Sequence, residues 1–343
     1  LDLSHNQLQS LDLSPLTSLF ALYLSDNPFT AATPAIIGAP KPALHILEVD
    51  NVGYLSPTFN LSDYPELVAF DGYHNFSIFE CDPSGCPKLE SLSLEMTNVS
   101  TLDVSKNLKL NSLNIAETRI SDLDISKNEY LVRLTAGHYS GSINVGYHLN
   151  GIDLTNNPNL MVVDLAGNQL SSVDVSKNPL LHTLFLTNNN LTSLDLSANT
   201  NMASLMLNHN NMDFATLPLP KETWTEYWYQ QRPLQIGRRS IAVGSEIDLS
   251  ARVLREGTVT TAKVFRQLYD GEPVEIDAEA YTYADGKIRF NQVLTDSVYV
   301  QYHNSVLNEY DLVTPPFVVK SEADLNKPSK IVSFTIDGTL TSA

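Results

Sequence analysis

Cysteine, long apolar runs and catalytic motifs are scarce or missing in this sequence. Cysteine occurs only twice in 343 residues, so no disulfide framework can hold the chain together. No run of about 18 apolar residues occurs, and a membrane-spanning helix requires one. The H-E-x-x-H and C-x-x-C motifs and the glycine-rich phosphate loop are also missing. These absences exclude a disulfide-rich scaffold and a transmembrane helix within this sequence, and they leave no motif for an enzyme.

Basic residues are scarce as well: 21 Lys and Arg stand against 39 Asp and Glu, a net charge of −18. Residues 1–235 hold 10 basic and 24 acidic residues, a net charge of −14, whereas the last 108 residues hold 11 and 15, a net charge of −4. An acidic surface repels phosphate backbones and anionic lipids. Nucleic acid is therefore excluded as an expected partner, and the charge mainly favours solubility.

The most regular stretch of the chain is 160–212. Here the unit L-x-x-L-x-L-x-x-N-x-L-x-x-L-D-L-S-x-N-x-x occurs twice at a spacing of 21 residues, and a third copy begins. A fixed period in this range is typical of a solenoid. Aligning the chain on this unit predicts about ten turns of 21 to 29 residues, with strands at Leu1, Leu22, Leu47, Phe70, Leu92, Leu113, Leu134, Val163, Leu184 and Leu205.

Each unit predicts a strand, a bend and a short return segment. The alternating leucines point inward and stack on the neighbouring turns. The asparagine after the strand, such as Asn189, can bond backbone groups left free at the bend. The return segment, such as LDVSKNLKL at 102–110, is too short and too rich in Asp, Ser and Asn for an α-helix. We therefore expect extended segments opposite the sheet.

This unit resembles the leucine-rich repeats, and in particular those of internalin-type bacterial proteins, from residue 1 to about 215. The resemblance implies a curved solenoid whose concave sheet binds a protein or glycan partner, and it implies no enzymatic activity. We expect neither a cofactor nor a metal site. The eight histidines are scattered from His5 to His303 without a metal-binding motif.

Two departures from the 21-residue period predict loops on one face of the solenoid. One lies near 28–43, which is rich in Pro and Ala and could hold a helical turn. The other lies at 137–150, directly after a strand, and contains His138, Tyr139, Tyr147 and His148. Aromatic and histidine side chains on a loop beside a concave sheet suit binding, and a tolerated surface insertion is the alternative.

The outward residues of the predicted strands change from acidic in the first turns to apolar in the last two, Phe185 and Met206. This pair predicts an exposed apolar patch, which often marks an interface. Packing under the 137–150 insertion or against the next domain is the alternative. The complete set of binding candidates is Tyr23, Tyr73, His74, His138, Tyr139, Tyr147, His148, His182, Phe185, Met206 and His209.

The two cysteines fall into the repeat pattern, and both are predicted to point inward. Cys81 takes an apolar position, and Cys86 takes the position of the asparagine in LDVSKN. A local disulfide and a pair of buried thiols both fit this placement. A metal site needs more ligands than these two side chains.

The period ends after Met212. The aromatic segment that follows, with Trp224 and Trp228, predicts a cap for the open end of the solenoid rather than a ligand platform. From Ile236, about seven short alternating runs with turn dipeptides at 270–271 and 285–286 predict an immunoglobulin-like β-sandwich. The predicted domains are the solenoid with its cap (1–222), the sandwich (223–320), and a linker or the start of a further module (321–343), which holds one β-like run at 331–336.

Internalin-like repeats followed by such a sandwich resemble secreted or cell-surface proteins of Bacteroidetes-type bacteria. The resemblance implies an exported, extracellular or surface-held protein. We therefore expect a non-enzymatic binding protein whose concave face engages a protein or glycan. The alternative is a structural spacer or assembly segment of a larger surface protein, with no ligand of its own.

Overall fold

The computed structural model describes residues 1–13, 15–30, 41–53, 55, 58–139, 148–267 and 271–325. The described residues form two compact units: Leu1–Pro233 with Ser305–Leu312, and Leu234–Asn304 with residues 313–325. Several predicted features lie outside the described residues: most of the 28–43 insertion, Tyr147 with most of its loop, Asp270, and the run at 331–336.

The first unit is built from very short strands, one or two per repeat. Its described strands are β1 (Ala21–Tyr23), β2 (Ile46–Glu48), β3 (Thr58–Asn60), β4 (Ala69–Asp71), β5 (Glu80–Asp82), β6 (Ser91–Ser93), β7 (Ser112–Asn114), β8 (Arg133–Thr135), β9 (Val162–Asp164), β10 (Thr183–Phe185), β11 (Ser204–Met206) and β12 (Glu226–Trp228). Ten of them form one parallel sheet in the order β1-β2-β4-β6-β7-β8-β9-β10-β11-β12. Strands β3 and β5 pair with each other on the return side of the turns.

The predicted leucine-rich-repeat solenoid is confirmed. Leu184 pairs in register with Leu205, and both are fully buried, as stacking between turns requires. The solenoid has about eight complete turns, fewer than the ten predicted. One reason is that the first repeat contributes only an isolated bridge between Asp2 and Tyr23.

Strand β12 was not predicted. It pairs with β11, so the sheet continues past residue 222, where we expected the solenoid domain to end. Tyr227 and Tyr229 take the two inward positions that leucine holds elsewhere, and Tyr229 is buried. The aromatic segment therefore adds a strand to the sheet.

Where an asparagine follows a strand, it joins two turns, as the motif predicts; Thr97 and Thr118 take this position after β6 and β7. Asn189 donates from Nδ2 to the carbonyl oxygens of Leu165, at 2.9 Å, and Leu186, at 3.2 Å. Its Oδ1 accepts the Leu170 N–H at 3.0 Å. One buried side chain thereby pairs three backbone groups that the bend would otherwise leave without partners.

The LDVSKN segments form a second ladder on the return side. Asn128 donates to the carbonyl oxygens of Val104, at 3.1 Å, and Asn107, at 3.0 Å, one turn earlier. Asp124 accepts the Ser126 N–H at 2.8 Å, and this bond lowers the pKa of the carboxyl group. The repeated acidic residues therefore stabilise turns. No α-helix occurs among the described residues of this unit, and two of its return segments form the paired strands β3 and β5.

Both cysteines are buried free thiols, so of the two alternatives left by the sequence the structure contains the thiol pair. Burial raises the pKa of each thiol to about 12. The Cys86 thiol lies 3.1 Å from the carbonyl oxygen of Leu61 and 3.3 Å from that of Tyr64. These acceptors are equivalent to those of Asn107 in the next turn, which donates to Pro83 and Cys86. Cys86 therefore replaces an asparagine in the second ladder.

The second unit is also mainly β and contains two separate sheets. Its described strands are β13 (Ser240–Ala242), β14 (Glu246–Asp248), β15 (Thr260–Arg266), β16 (Val274–Glu275), β17 (Tyr281–Ala284), β18 (Lys287–Phe290), β19 (Leu294–Asn304), β20 (Leu312–Val313) and β21 (Phe317–Lys320). One sheet has the order β13-β21-β19-β15-β16 with β20 beside β19, and the other has the order β14-β18-β17. Helices α1 (Ser250–Val253) and α2 (Glu322–Leu325) and the 3-10 turn Ala278–Ala280 are single turns.

One predicted strand of this unit is shorter than expected. The run EIDLSARV forms β14 only as far as Asp248. There the carboxylate accepts the N–H and the Oγ–H of Ser250, at 3.0 and 2.7 Å, and this local bonding competes with a continued strand. The next residues form α1 instead.

Candidate functional site

The outward surface of the ten-stranded sheet is the face predicted to bind, and we call it the open face. It consists of the first and third residues of each strand, because the middle residue points into the core. In β10, Thr183 and Phe185 are half-buried and flank the buried Leu184.

Three consecutive strands present apolar side chains at the third position of this face. Phe185 pairs in register with Met206, and Met206 pairs with Trp228. We call these three residues the apolar ladder. Phe185 and Met206 are half-buried, and Trp228 is 48% exposed. Two members were predicted, and Trp228 is an addition.

The edges of the apolar ladder are polar. In the first column of the open face, the Ser204 hydroxyl donates to the Glu226 carboxylate at 2.6 Å. His182, which precedes β10, is exposed, and its Nδ1 lies 3.2 Å from the Thr183 hydroxyl oxygen. An exposed Met161 precedes β9 at the position equivalent to His182. The ladder is thus an apolar strip beside the exposed polar side chains of His182 and Glu226, while Ser204 is buried and Met161 adds a further exposed apolar side chain.

The other end of the open face is acidic. Glu48 lies opposite Asp71 in the next strand and opposite Tyr23 in the previous one, and Asp2 bridges to Tyr23. Burial and the nearby Asp71, with which it shares a hydrogen bond, raise the pKa of Asp50 to about 7. Burial and the charges of Asp71 and Asp2 also raise the pKa of Glu48. The carboxyl groups are therefore close enough to oppose one another's ionisation.

Tyr73 and His74 lie at the edge of the sheet, in the bend after β4. His74 has a left-handed backbone, with φ +58°, and its Nδ1 lies 3.2 Å from Asn51 Oδ1. Its ring contacts those of Tyr73 and Phe76, at centroid distances of 5.6 and 4.7 Å. His209 occupies the equivalent bend near the other end of the sheet, with φ +58°, and is exposed. These histidines flank the open face.

A tyrosine near the start of the 137–150 insertion is held against the sheet. The Tyr139 hydroxyl donates to Asp164 Oδ2 at 2.5 Å, and the Tyr139 N–H donates to Glu117 Oε1 at 2.6 Å. Asp164 is only 9% exposed, although its position in β9 faces outward. Tyr139 itself remains 48% exposed.

His138, one of the binding candidates on the 137–150 loop, is buried, at 6% exposure. Its N–H donates to the Ala166 carbonyl at 2.7 Å, so its backbone still follows the repeat. Its ring packs edge-to-face against His148 at 5.2 Å, and Nδ1 lies 4.0 Å from Glu117 Oε2. Burial and the nearby His148 lower the pKa of His138, against the effect of Glu117.

The predicted binding residues do not form one site. Tyr73 and His74 follow β4, the His138–His148 pair lies beside β8 and β9, and Phe185 lies in β10. Five strand spacings separate β4 from β10, or roughly 24 Å at the usual spacing between strands. The candidates therefore form separate clusters, and the apolar ladder is the one that continues over three adjacent strands of the open face.

The sequence did contain a signal for Trp228. Tyr227 lies 22 residues after Leu205, and EYWY repeats the alternation of the earlier strands. Because tyrosines replace the leucines there, the segment resembles a cap, and Trp228 was missed.

Neither a metal-binding cluster nor a membrane-spanning helix is found in the parts of the chain that the structure describes. No three His, Cys, Asp or Glu side chains there are arranged to hold a metal ion. Neither described helix is long and apolar enough to cross a membrane.

Comparison with known proteins identifies the fold. No protein-family model matches the sequence, and no curated protein matches it. Among solved structures, InlP of Listeria monocytogenes is similar with a TM-score of 0.59 and 17% identity, over 90% of each chain. An internalin (inlF) of the same organism is similar with a TM-score of 0.51 and 18% identity, over 64% of each chain. The chain described here therefore has the leucine-rich-repeat fold found among the internalins.

Proposed function

We propose that this is a non-enzymatic binding protein whose open face engages a protein partner, with the apolar ladder at the centre of the contact. The observation that supports it most is the register of Phe185, Met206 and Trp228 on three adjacent strands. Tryptophan, phenylalanine and methionine are enriched at protein interfaces, and a few large side chains near the centre usually supply most of the affinity.

The surroundings of the ladder fit this role. The Ser204–Glu226 pair, His182 and Thr183 supply a polar rim, as interfaces generally have. The short strands hold the three side chains on a rigid sheet, so little conformational entropy is lost when they are covered.

The acidic end of the open face favours a partner with basic groups on the facing surface. Residues 1–235 have a net charge of −14, and complementary charge raises association rates and orients the partner. The affinity is expected to depend on salt at the acidic end and much less at the apolar ladder.

We assign to the second unit the role of an immunoglobulin-like spacer that presents the solenoid on the outside of a bacterial cell. Its separate sheets around β19 and β18 support a sandwich, and the similar internalin structures come from a bacterium. The alternative function is that of a structural spacer or assembly segment of a larger surface protein, which binds no ligand of its own.

The test is capture of partners by covalent proximity labelling, comparing the wild-type protein with Trp228→Ala. Tyr130→Ala is the matched control, because Tyr130 is an exposed aromatic residue outside the open face. Partners captured by the wild type and by Tyr130→Ala should be lost with Trp228→Ala. Truncating a central aromatic residue typically costs about 2 kcal/mol or more, or roughly thirtyfold in affinity.

Other outcomes decide against this function. Equal capture by all three proteins would remove the apolar ladder from the contact. Binding on a glycan array without a captured protein would replace the protein partner with a glycan. Self-association in sedimentation experiments, abolished by Trp228→Ala, would favour an assembly segment.

A further inference from the structure

A small cavity lies at the C-terminal end of the solenoid, and the proposed function does not use it. Its volume is about 220 Å³. All the residues around it belong to the first unit. Those that bear on its chemistry are Lys221, Trp224, Tyr227, Tyr229, Asn308 and Glu309.

Three aromatic rings form a connected wall of this cavity. Trp224 packs edge-on against Tyr227 at a centroid distance of 4.9 Å, and Tyr227 packs against Tyr229 at 4.7 Å. The hydroxyls of both tyrosines are engaged by the chain itself. The Tyr227 hydroxyl donates to the Pro218 carbonyl at 2.6 Å, and the Tyr229 hydroxyl accepts the Glu309 N–H at 2.9 Å. The tyrosines are thereby fixed. Tyr229 is buried, so the ring surface open to a ligand belongs to the half-buried Trp224 and Tyr227.

The charges around the rings favour a cation. The face of an aromatic ring is negative, and Trp binds cations best among the aromatic side chains. The chain shows this attraction itself, because the Lys221 ammonium lies 5.9 Å from the Trp224 ring centroid. Glu309 is exposed at the cavity and forms no ion pair within the described part of the chain, so its carboxylate adds a negative charge.

We propose that this cavity binds an organic cation, namely an alkylated ammonium or a guanidinium group. Aromatic walls with a nearby carboxylate stabilise such groups through cation–π attraction and charge. The volume is below the usual range for drug-sized ligands, so a single head group or side-chain end fits better than a large molecule. Because both tyrosine hydroxyls are engaged, a neutral sugar would find polar partners mainly at the unpaired Trp224 indole N–H and at Asn308.

The test measures binding of small probes by isothermal calorimetry and NMR titration. Tetramethylammonium and methylguanidinium are the cations, and tert-butanol and N-acetylglucosamine are the neutral comparisons. The cations should bind the wild type at least about tenfold more tightly than either neutral probe. Choline and N-acetylarginine amide then distinguish a quaternary ammonium source from a guanidinium source.

Variants sharpen the test. Trp224→Ala should weaken cation binding about tenfold or more, and Trp224→Phe should weaken it less. Glu309→Gln should weaken cation binding about threefold or more. Lys221→Ala should tighten binding, because it frees the Trp224 ring and removes a like charge. Trp228→Ala is the matched control and should leave cation affinity unchanged, since Trp228 belongs to the apolar ladder.

The proposal is overturned by neutral probes that bind as tightly as cations, or by weaker cation binding in Lys221→Ala. It is also overturned if Trp224→Phe and Glu309→Gln, shown by circular dichroism to be folded, both keep wild-type affinity. These results leave the partner-binding test on the open face unaffected, because that test uses Trp228.

Discussion

The hydroxyl of Tyr139 donates a hydrogen bond of 2.5 Å to Asp164 Oδ2, across 25 residues of sequence. It connects the first residues of the 137–150 insertion to β9 and covers a carboxylate that would otherwise face solvent on the open face. The nearby Glu117 accepts the Tyr139 N–H, so the start of the insertion is held at two points.

Tyr139→Phe should lower the free energy of unfolding by about 1–2 kcal/mol, because it removes the partner of a buried carboxylate oxygen. Denaturant unfolding followed by circular dichroism measures this. Tyr130→Phe, at an exposed position outside the open face, should change stability by less than about 0.5 kcal/mol. In the Asp164→Asn background, the effect of Tyr139→Phe should differ from that in the wild type, because the two side chains interact. Additive effects would show that the bond contributes nothing.

Gly167→Ala should be among the most destabilising single substitutions in the solenoid. Gly167 has φ +68°, and an added Cβ would lie only 1.5 Å from the carbonyl oxygen of His138, so the backbone would have to move. We expect a loss of about 3 kcal/mol or more, from the left-handed conformation and the clash together. The melting temperature from thermal unfolding measures this loss of stability.

Gly151→Ala is the matched control for that experiment. Gly151 lies at the other end of the insertion, and no atom lies within 4 Å of its added Cβ. This variant should be as stable as the wild type or slightly more so, because alanine restricts the unfolded chain. Similar melting temperatures for both variants would contradict the packing of His138 over Gly167.

Most of the solenoid could be predicted because its physics repeats. Inward leucines and bonded asparagines recur at nearly constant spacing, so each position is determined by its equivalents. Trp228 was missed because Tyr227 and Tyr229 replace the leucines of its strand, which hides the period. Aligning Tyr227 and Tyr229 with Leu205 and Leu207 would have revealed the strand that contains Trp228.

The burial of side chains at the 137–150 insertion could not be predicted from the spacing of the repeats. His138 looks like the start of a loop, yet its N–H still bonds to Ala166 and its ring packs on His148. Asp164 looks exposed by its position in β9, and only the path of Tyr139 buries it. Such contacts depend on the path of the 137–150 insertion. The other repeats contain no equivalent segment from which that path could be predicted.

Cys86→Asn should stabilise the protein. Cys86 occupies an asparagine position of the second ladder, where two carbonyl acceptors lie within reach but the thiol supplies one weak donor. An asparagine amide has two donors, so we expect a gain of about 0.5–1.5 kcal/mol. The reverse change one turn later, Asn107→Cys, should destabilise by a similar amount or more, because Asn107 makes both bonds at 2.9 Å. Urea midpoints measure both changes, and a destabilised Cys86→Asn would contradict equivalence of the two positions.

The carboxyl group of Asp50 should make stability fall as the pH rises. Its pKa is raised from 3.8 to about 7 in the folded state, by burial and by Asp71, so the folded protein binds the proton more tightly than the unfolded chain. The resulting stabilisation is fully present below about pH 4 and is lost as the pH rises through about 7. Asp50→Asn cannot ionise, so it should melt at a higher temperature than the wild type at pH 8 and at nearly the same temperature at pH 4. Glu129→Gln removes one charge at an exposed position in the same unit and should show little of this pH-dependent difference. If Asp50→Asn were less stable than the wild type at pH 8, ionised Asp50 would be stabilising, and the acidic end would not oppose its own ionisation.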